Sequence, residues 1–237
     1  MTNVIRAVLE YNSEGSLLYS ADDPGAFSRG NTAAAALVKL PEEVNKFRLW
    51  SGKELLQLPA RVEIVQKHPT GLNVKDADSE VIFDSERNAL TQAEYEYLRG
   101  LAVRSARDFD RLYRLLPDPD ATDIPFRETF YGGGRPRTGR EMYVHTNGVT
   151  AYYLGEIGLD WENAEHMADN RERALDALER TEGFLTRPAQ EGSYGEWWSL
   201  RKVMRRFIWH DRIHAKAMYR MARRIWGDVE DVFRIGG

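Results

Sequence analysis

The chain contains no cysteine among its 237 residues. Disulfides, cysteine-ligated zinc, iron–sulfur clusters and thiol nucleophiles are therefore excluded, and any metal must be held by histidine, aspartate or glutamate. Apolar runs of the roughly 18 residues needed to cross a membrane are also lacking. The first residues, MTNVIRAVLEY, have neither the basic segment nor the apolar core of a signal peptide, so we expect a cytoplasmic location and no membrane partner.

Charge of one sign is not in large excess, because 33 Lys and Arg stand against 37 Asp and Glu, for a net charge of −4. Such a balance gives no overall attraction to nucleic acid, so nucleic-acid binding is not expected. Basic residues nevertheless concentrate between Arg201 and Arg224. Such a basic segment usually forms a solvent-exposed helix face that pairs with acidic neighbours. The alternatives are that it binds an anionic substrate or that it packs against the N-terminal part.

The first eighty or so residues show short alternating segments broken by turns. The predicted elements, in order, are strands at residues 4–11 and 16–19, a helix from Asn31 or Thr32 toward Trp50, a strand at 61–67 and a further candidate strand at 80–83. This β-β-α-β order predicts a small α+β domain over residues 1–84.

Within this part, the run PGAFSRGNTAAAALVKLPEEVNKF resembles the HicB-like pattern, in which a Pro-Gly turn and a Gly-x-Thr step lead into an Ala-rich helix. The resemblance covers about sixty residues and implies a small sheet with one packed helix. HicB-like units are often antitoxin modules that cap a small ribonuclease, so the resemblance also implies a protein partner. The usual acidic residue after the threonine and a DNA-binding segment are lacking. A domain that merely packs on its neighbour is the alternative.

After a polar linker at residues 84–88, the apolar periodicity changes from two to about three and a half. The predicted helices span residues 91–116, 140–156, 163 or 169 to 182, and 199–226. Four helices with apolar stripes predict an all-α four-helix bundle over residues 91–227, following the α+β domain. The long connection at 117–139, which carries Gly132, Gly133 and Gly134, is expected to be a mobile lid over a pocket or a flexible connector.

Three of the five histidines fall on inward stripes of two predicted helices. His210 and His214 lie one turn apart on the last helix, the spacing by which a helix presents two imidazoles to one metal ion. His145 lies on the stripe of the second bundle helix. Hydrogen-bonded core histidines are the alternative. Three inward imidazoles can form a facial set of metal ligands with an open position for water or substrate, whereas His68 and His166 lie outside this set.

The helical half also resembles the DinB/YfiT-like family over about 135 residues. That family has one histidine near the start of the second helix and a tryptophan-led final helix with H-x-x-x-H, matched here by His145 and EWWSLRKVMRRFIWHDRIH. The resemblance implies an up-down-down-up four-helix bundle, commonly a homodimer, with His145, His210 and His214 as ligands of a divalent ion such as zinc or nickel. Relatives that use low-molecular-weight thiols imply a thiol cofactor and a small-molecule substrate.

Three further side chains are candidates for supporting roles near such an ion. Tyr152 and Glu156 continue the stripe of His145, and Asp211 adjoins the histidine pair. A buried carboxylate there could orient an imidazole or accept a proton, while a helix-end charge facing solvent is the alternative. We therefore expect a metal-dependent thiol S-transferase or hydrolase. The alternative is a non-catalytic module that binds a protein partner through the HicB-like part, with the bundle as dimerisation scaffold.

Overall fold

The computed structural model describes residues 3–127 and 134–236. In chain order its elements are β1 (Val4–Tyr11), β2 (Ser16–Ser20), β3 (Phe27–Gly30), α1 (Ala33–Ser51), β4 (Arg61–Pro69), α2 (Gln92–Arg114), α3 (Gly139–Gly155), α4 (Met167–Glu179), β5 (Gln190–Glu191), β6 (Trp197–Trp198) and α5 (Leu200–Trp226). Within the described ranges, none of the helices is both long enough and apolar enough to cross a membrane.

The N-terminal part is a four-stranded mixed sheet in the order β3-β2-β1-β4. β1 pairs antiparallel with β2 and parallel with β4. A parallel pair needs a crossover, and α1 supplies it. Thr32 starts this helix by accepting a hydrogen bond from the Ala35 backbone N–H at 3.2 Å, and Gly52 ends it at a φ of 78°, in the left-handed region that glycine tolerates.

The two faces of the sheet pack on different helices, because successive side chains of a strand point to opposite sides. Ala7, Leu9 and Leu18 belong to the core cluster that contains the buried face of α1. The intervening residues of β1 and β2 form a second cluster with Trp209 of α5, together with Phe27 of β3; these residues are Val8, Leu17 and Tyr19. The sheet is therefore covered by α1 on one side and by α5 on the other.

Cationic side chains of α5 are buried against the N-terminal part. Lys202 donates to the Glu80 carbonyl at 2.7 Å, Arg206 to the Ser79 carbonyl at 2.9 Å, and Arg212 to the Gly25 carbonyl at 3.2 Å. Arg205 donates to the Val81 carbonyl and forms an ion pair with Glu86, and Lys216 forms one with Glu43. These five basic residues therefore pack against the N-terminal part, which was one of the alternatives predicted for the basic segment.

The helical half is arranged around the opposite side of α5. α2 packs on α5 and α4, and α3 packs on the same two helices. Thr91 and Thr138 begin α2 and α3 with capping boxes, in which a glutamate three residues on returns a hydrogen bond. Arg171 of α4 and Asp211 of α5 form an ion pair with no exposed side-chain surface. This pair joins α4 to α5.

The predicted fold class is wrong. The chain is not an α+β domain followed by an all-α four-helix bundle of up-down-down-up type, because a four-stranded mixed sheet precedes helices that form no clear four-helix bundle; the described residues hold five α-helices. The physical reason is α5, which packs Trp209 on the sheet and buries basic side chains against neighbouring segments of the N-terminal part, as well as packing its apolar stripe on the helices. The prediction treated that helix as having a single buried face.

Two local predictions also need correction. β3 was not predicted, and it pairs antiparallel with β2. Residues 80–83 form no strand; the backbone N–H groups of Glu80 and Val81 donate instead to the buried Glu10 carboxylate at 2.9 and 3.2 Å.

Of the predicted lid or connector at 117–139, residues 128–133, including Gly132 and Gly133, lie outside the described residues.

Replacing Arg205 by alanine should destabilise the protein by about 3–5 kcal/mol, because it leaves the Glu86 carboxylate buried without its partner. The side chains of this pair are only 4% and 3% exposed. Arg201 on the same helix pairs with Glu94 at 3.0 Å but in solvent contact, so Arg201→Ala should cost about 0.2–1 kcal/mol. Urea unfolding of the two variants measures both values, and equal losses would contradict the assignment of Arg205 as a buried anchor.

Candidate metal centre

His145 of α3 and His210 and His214 of α5 come together where these two helices pack. The Nε2 atoms of His145 and His210 lie 3.2 Å apart. The ring centroids of the three imidazoles are separated by 4.5 to 5.0 Å. One nitrogen from each ring can be chosen so that all three lie within 4.8 Å of one another. The structure thus assembles the three histidines that the sequence placed on inward stripes.

Burial keeps these imidazoles neutral. It lowers the pKa of His214 to about 3, with a further contribution from His145. Burial also lowers the pKa of His210 well below its ordinary value, assisted by the other two histidines and by Arg206. His145 is more exposed, and partial burial still lowers the pKa of its ring. Neutral imidazole is the form that binds metal ions, so protons compete little at these nitrogens near neutral pH.

The donor set fits a divalent ion. Three neutral imidazoles are a known ligand set for zinc that leaves a fourth position open, and the same ligands suit nickel. The buried Nδ1 of His210 has no hydrogen-bond partner among the described residues. A ligating histidine usually donates its second ring N–H to a carboxylate or carbonyl, so this nitrogen departs from the usual pattern.

Asp211 does not take part in this centre, although it adjoins His210 in sequence. Its carboxylate accepts a hydrogen bond from the Ser105 hydroxyl and pairs with Arg171 at 3.3 Å. Successive residues on a helix differ by about 100° in direction, which turns Asp211 toward α2 and α4. Its role is to hold these helices together.

The two catalytic candidates, Tyr152 and Glu156, lie in different surroundings in the structure. Tyr152 lines the cleft in front of the histidines and is 40% exposed. Burial and the nearby Glu156 carboxylate raise the pKa of its phenol, so Tyr152 keeps its proton and can donate a hydrogen bond. Glu156 is buried, and its Oε2 accepts from the Ser193 backbone N–H at 2.7 Å. It anchors the segment that leads into β6 and does not line the cleft.

The cleft has a volume of about 1740 Å³ and lies between the N-terminal part and the helices. Its walls include residues that the sequence did not single out, notably Phe27 and Arg29 of β3, Glu196 before β6, and Arg206 and Trp209 of α5. Of these residues, only Arg206 could have been placed near the histidines from the sequence, because it lies one turn before His210 on the same helix. The others reach the cleft through tertiary packing of the sheet on α5.

A second group of possible ligands lies in the N-terminal part, where His68 Nε2 approaches Glu80 Oε1 at 3.5 Å and Glu10 lies nearby. Glu10 is already engaged, since one carboxylate oxygen accepts two backbone N–H bonds and the other accepts from the Tyr19 hydroxyl at 2.9 Å. This carboxylate is satisfied without an ion. Glu80 also accepts a hydrogen bond, from the Thr70 hydroxyl at 2.6 Å. Among the described residues of this group only His68 Nε2 has no hydrogen-bond partner, whereas the other centre offers three imidazoles.

Comparison of the chain with protein-family models, curated proteins and solved structures gave no match. The DinB/YfiT-like and HicB-like resemblances therefore stay predictions that rest on the residues alone.

Replacing Glu156 by alanine should lower the free energy of unfolding by about 1–2 kcal/mol, because the Ser193 N–H loses its acceptor. Metal content should stay the same, since Glu156 does not reach the histidines. Thermal unfolding and metal analysis of the variant check both parts. Glu162→Ala, an exposed glutamate in the following loop, is the control and should leave both quantities unchanged. Loss of metal in the Glu156 variant would show that it supports the centre.

Proposed function

We propose that the chain is a metal-dependent enzyme in which His145, His210 and His214 hold one divalent ion, zinc or nickel, at the wall of a cleft that takes a small-molecule substrate. The observation that carries the proposal is the cluster of three neutral imidazoles with nitrogens within 4.8 Å of one another. Core histidines usually satisfy their nitrogens with separate partners. Here the Nε2 atoms of His145 and His210 lie 3.2 Å apart. At this distance the two nitrogens can either share one proton in a hydrogen bond or bind the same ion.

The reaction classes we propose are transfer of a low-molecular-weight thiol to a small electrophile, or hydrolysis of a small molecule. The bound ion would supply Lewis acidity and lower the pKa of a coordinated thiol or water. The protein would contribute three neutral imidazoles that compete poorly for protons, and the Tyr152 hydroxyl as a hydrogen-bond donor in the cleft. Arg206, one turn before His210, is engaged by the Ser79 carbonyl and the Glu196 carboxylate, so we assign it no direct part in the reaction.

The open cleft in front of the histidines is accessible to a small molecule in either reaction. Thiol transfer and hydrolysis are therefore proposed side by side, and the cobalt experiment below distinguishes them.

The remaining expectations stay predictions. The cytoplasmic location and the homodimer are consistent with the proposal and independent of the centre. The alternative of a non-catalytic module has less support, because one sheet face of the HicB-like part packs on α5 of the same chain through Trp209 and the other packs on α1.

The wild-type protein should bind about one equivalent of a divalent ion per chain, and the double variant His210→Ala, His214→Ala should bind none, since one imidazole remains. Plasma mass spectrometry on untagged protein, before and after reloading with zinc or nickel, gives the stoichiometry. His68→Ala and His166→Ala are matched controls and should retain the ion. Absence of metal from reloaded wild-type protein would refute the centre and favour the partner-binding alternative.

Thiol binding at the centre can be tested with cobalt in place of the native ion. Addition of a small thiol to the cobalt-loaded protein should produce a thiolate-to-metal charge-transfer band, because the open position accepts a sulfur ligand. A variant with His145→Ala should show neither the ligand-field spectrum of the wild type nor this band. Unchanged cobalt spectra on addition of thiols, with the ion bound, would favour the hydrolase over the transferase.

A further inference from the structure

Cationic side chains from both halves of the chain meet in the same cleft as the three histidines. We call them the cationic wall: Arg29 of β3, Lys39 of α1, Arg135, and Lys216 and Arg220 of α5. Two of the five are neutralised, Lys216 by Glu43 and Arg135 by Asp76. Arg29 donates to the Lys75 carbonyl at 2.8 Å, and Lys39 donates to the Arg29 carbonyl at 3.1 Å. Among the described residues, no carboxylate pairs with Arg29, Lys39 or Arg220.

Arg29 and Arg220 line the same cleft, and both residues are exposed to solvent there. The pKa of Arg29 is lowered by partial desolvation of its guanidinium group and further by the positive charges of Arg220 and Arg135. Gathering like charges costs free energy, and a bound anion would offset that cost.

The cationic wall and two of the three histidines share α5. Arg220 follows His214 by six residues, an axial rise of about 9 Å at 1.5 Å per residue. Lys216 and Ala217 line the cleft between His214 and Arg220. The surface from the histidines to Arg220 is therefore continuous along one helix.

We infer that Arg29 and Arg220 form an anion subsite that binds a carboxylate or phosphate group of the small molecule whose other end reaches the three-histidine centre. The inference rests on the proposed function for the reactive end, and it adds the substrate class: a small organic anion whose charged group lies toward the Arg220 end of the cleft. Guanidinium groups suit this role because their planar N–H forks match carboxylate and phosphate oxygens in bidentate geometry. The subsite needs both halves of the chain, since Arg29 comes from the sheet and Arg220 from α5.

Titration calorimetry with inorganic phosphate at low ionic strength tests the subsite in chelator-treated, metal-free protein. The wild type should bind phosphate saturably, and Arg29→Gln and Arg220→Gln should each weaken binding by about tenfold, because each removes charge-assisted hydrogen bonds. Arg180→Gln is the matched control: Arg180 is an exposed arginine at the end of α4, outside the cleft, and its replacement should leave phosphate affinity unchanged. Circular dichroism verifies that the variants are folded.

Three results would overturn the subsite. The first is the absence of saturable phosphate binding in the metal-free wild type. The second is equal weakening of phosphate binding in the Arg180 variant. The third is binding that occurs only after zinc loading and is insensitive to both arginine substitutions, which would assign phosphate to the ion. Metal content measured on the same variants after reloading with zinc distinguishes failure of the subsite from failure of the proposed function, because the arginine variants should still bind one equivalent of metal.

Discussion

The structure depends on the burial of cationic side chains along α5. A buried ammonium or guanidinium group is costly unless its N–H groups find acceptors. The acceptors for Lys202, Arg205 and Arg206 are backbone carbonyls of residues 79–81, in a segment without regular structure whose carbonyls are not committed to a ladder. That segment is in turn held by the buried carboxylate of Glu10 on β1. These contacts fix the rotation of α5 about its axis relative to the sheet.

The rotation of α5 decides which side chains reach the cleft. With Trp209 packed against Tyr19 at a ring distance of 5.7 Å, the adjacent His210 faces α3 and meets His145. The carboxylates that could otherwise bind or neutralise an ion are engaged elsewhere, Asp211 with Arg171 and Glu156 with the Ser193 N–H. The histidines are thus left as the available donors, and their apolar and cationic surroundings keep them neutral.

Sequence spacing was sufficient for features that depend on local geometry. The spacing of His210 and His214 and the stripe of His145 predicted that the three imidazoles can meet, and the predicted helix starts at Thr32, Thr91 and Ser199 coincide with the residues that cap α1, α2 and α5. Sequence spacing did not predict features that depend on packing between residues far apart in the chain. β3 is four residues long and exists through its pairing with β2, and the arginines of α5 are buried by carbonyls far away in sequence. The cleft residues Phe27 and Arg29 were missed for the same reason.

The centre and the wall of the cleft rest on different contacts. The imidazoles are carried by α3 and α5, and the rotation of α5 depends on its contacts with residues 79–81 as well as on the helical half. Phe27 and Arg29 are positioned by β3, which is fixed by pairing with β2 and by the Ser28 hydroxyl donating to the Ala36 carbonyl at 2.8 Å. Changes at exposed residues of β3, such as Arg29, can therefore reshape the cleft while the contacts of residues 79–81 keep α5 and its histidines in place. In the proposed enzyme, β3 would then contribute to the choice of ligand, and the helices would carry the three imidazoles.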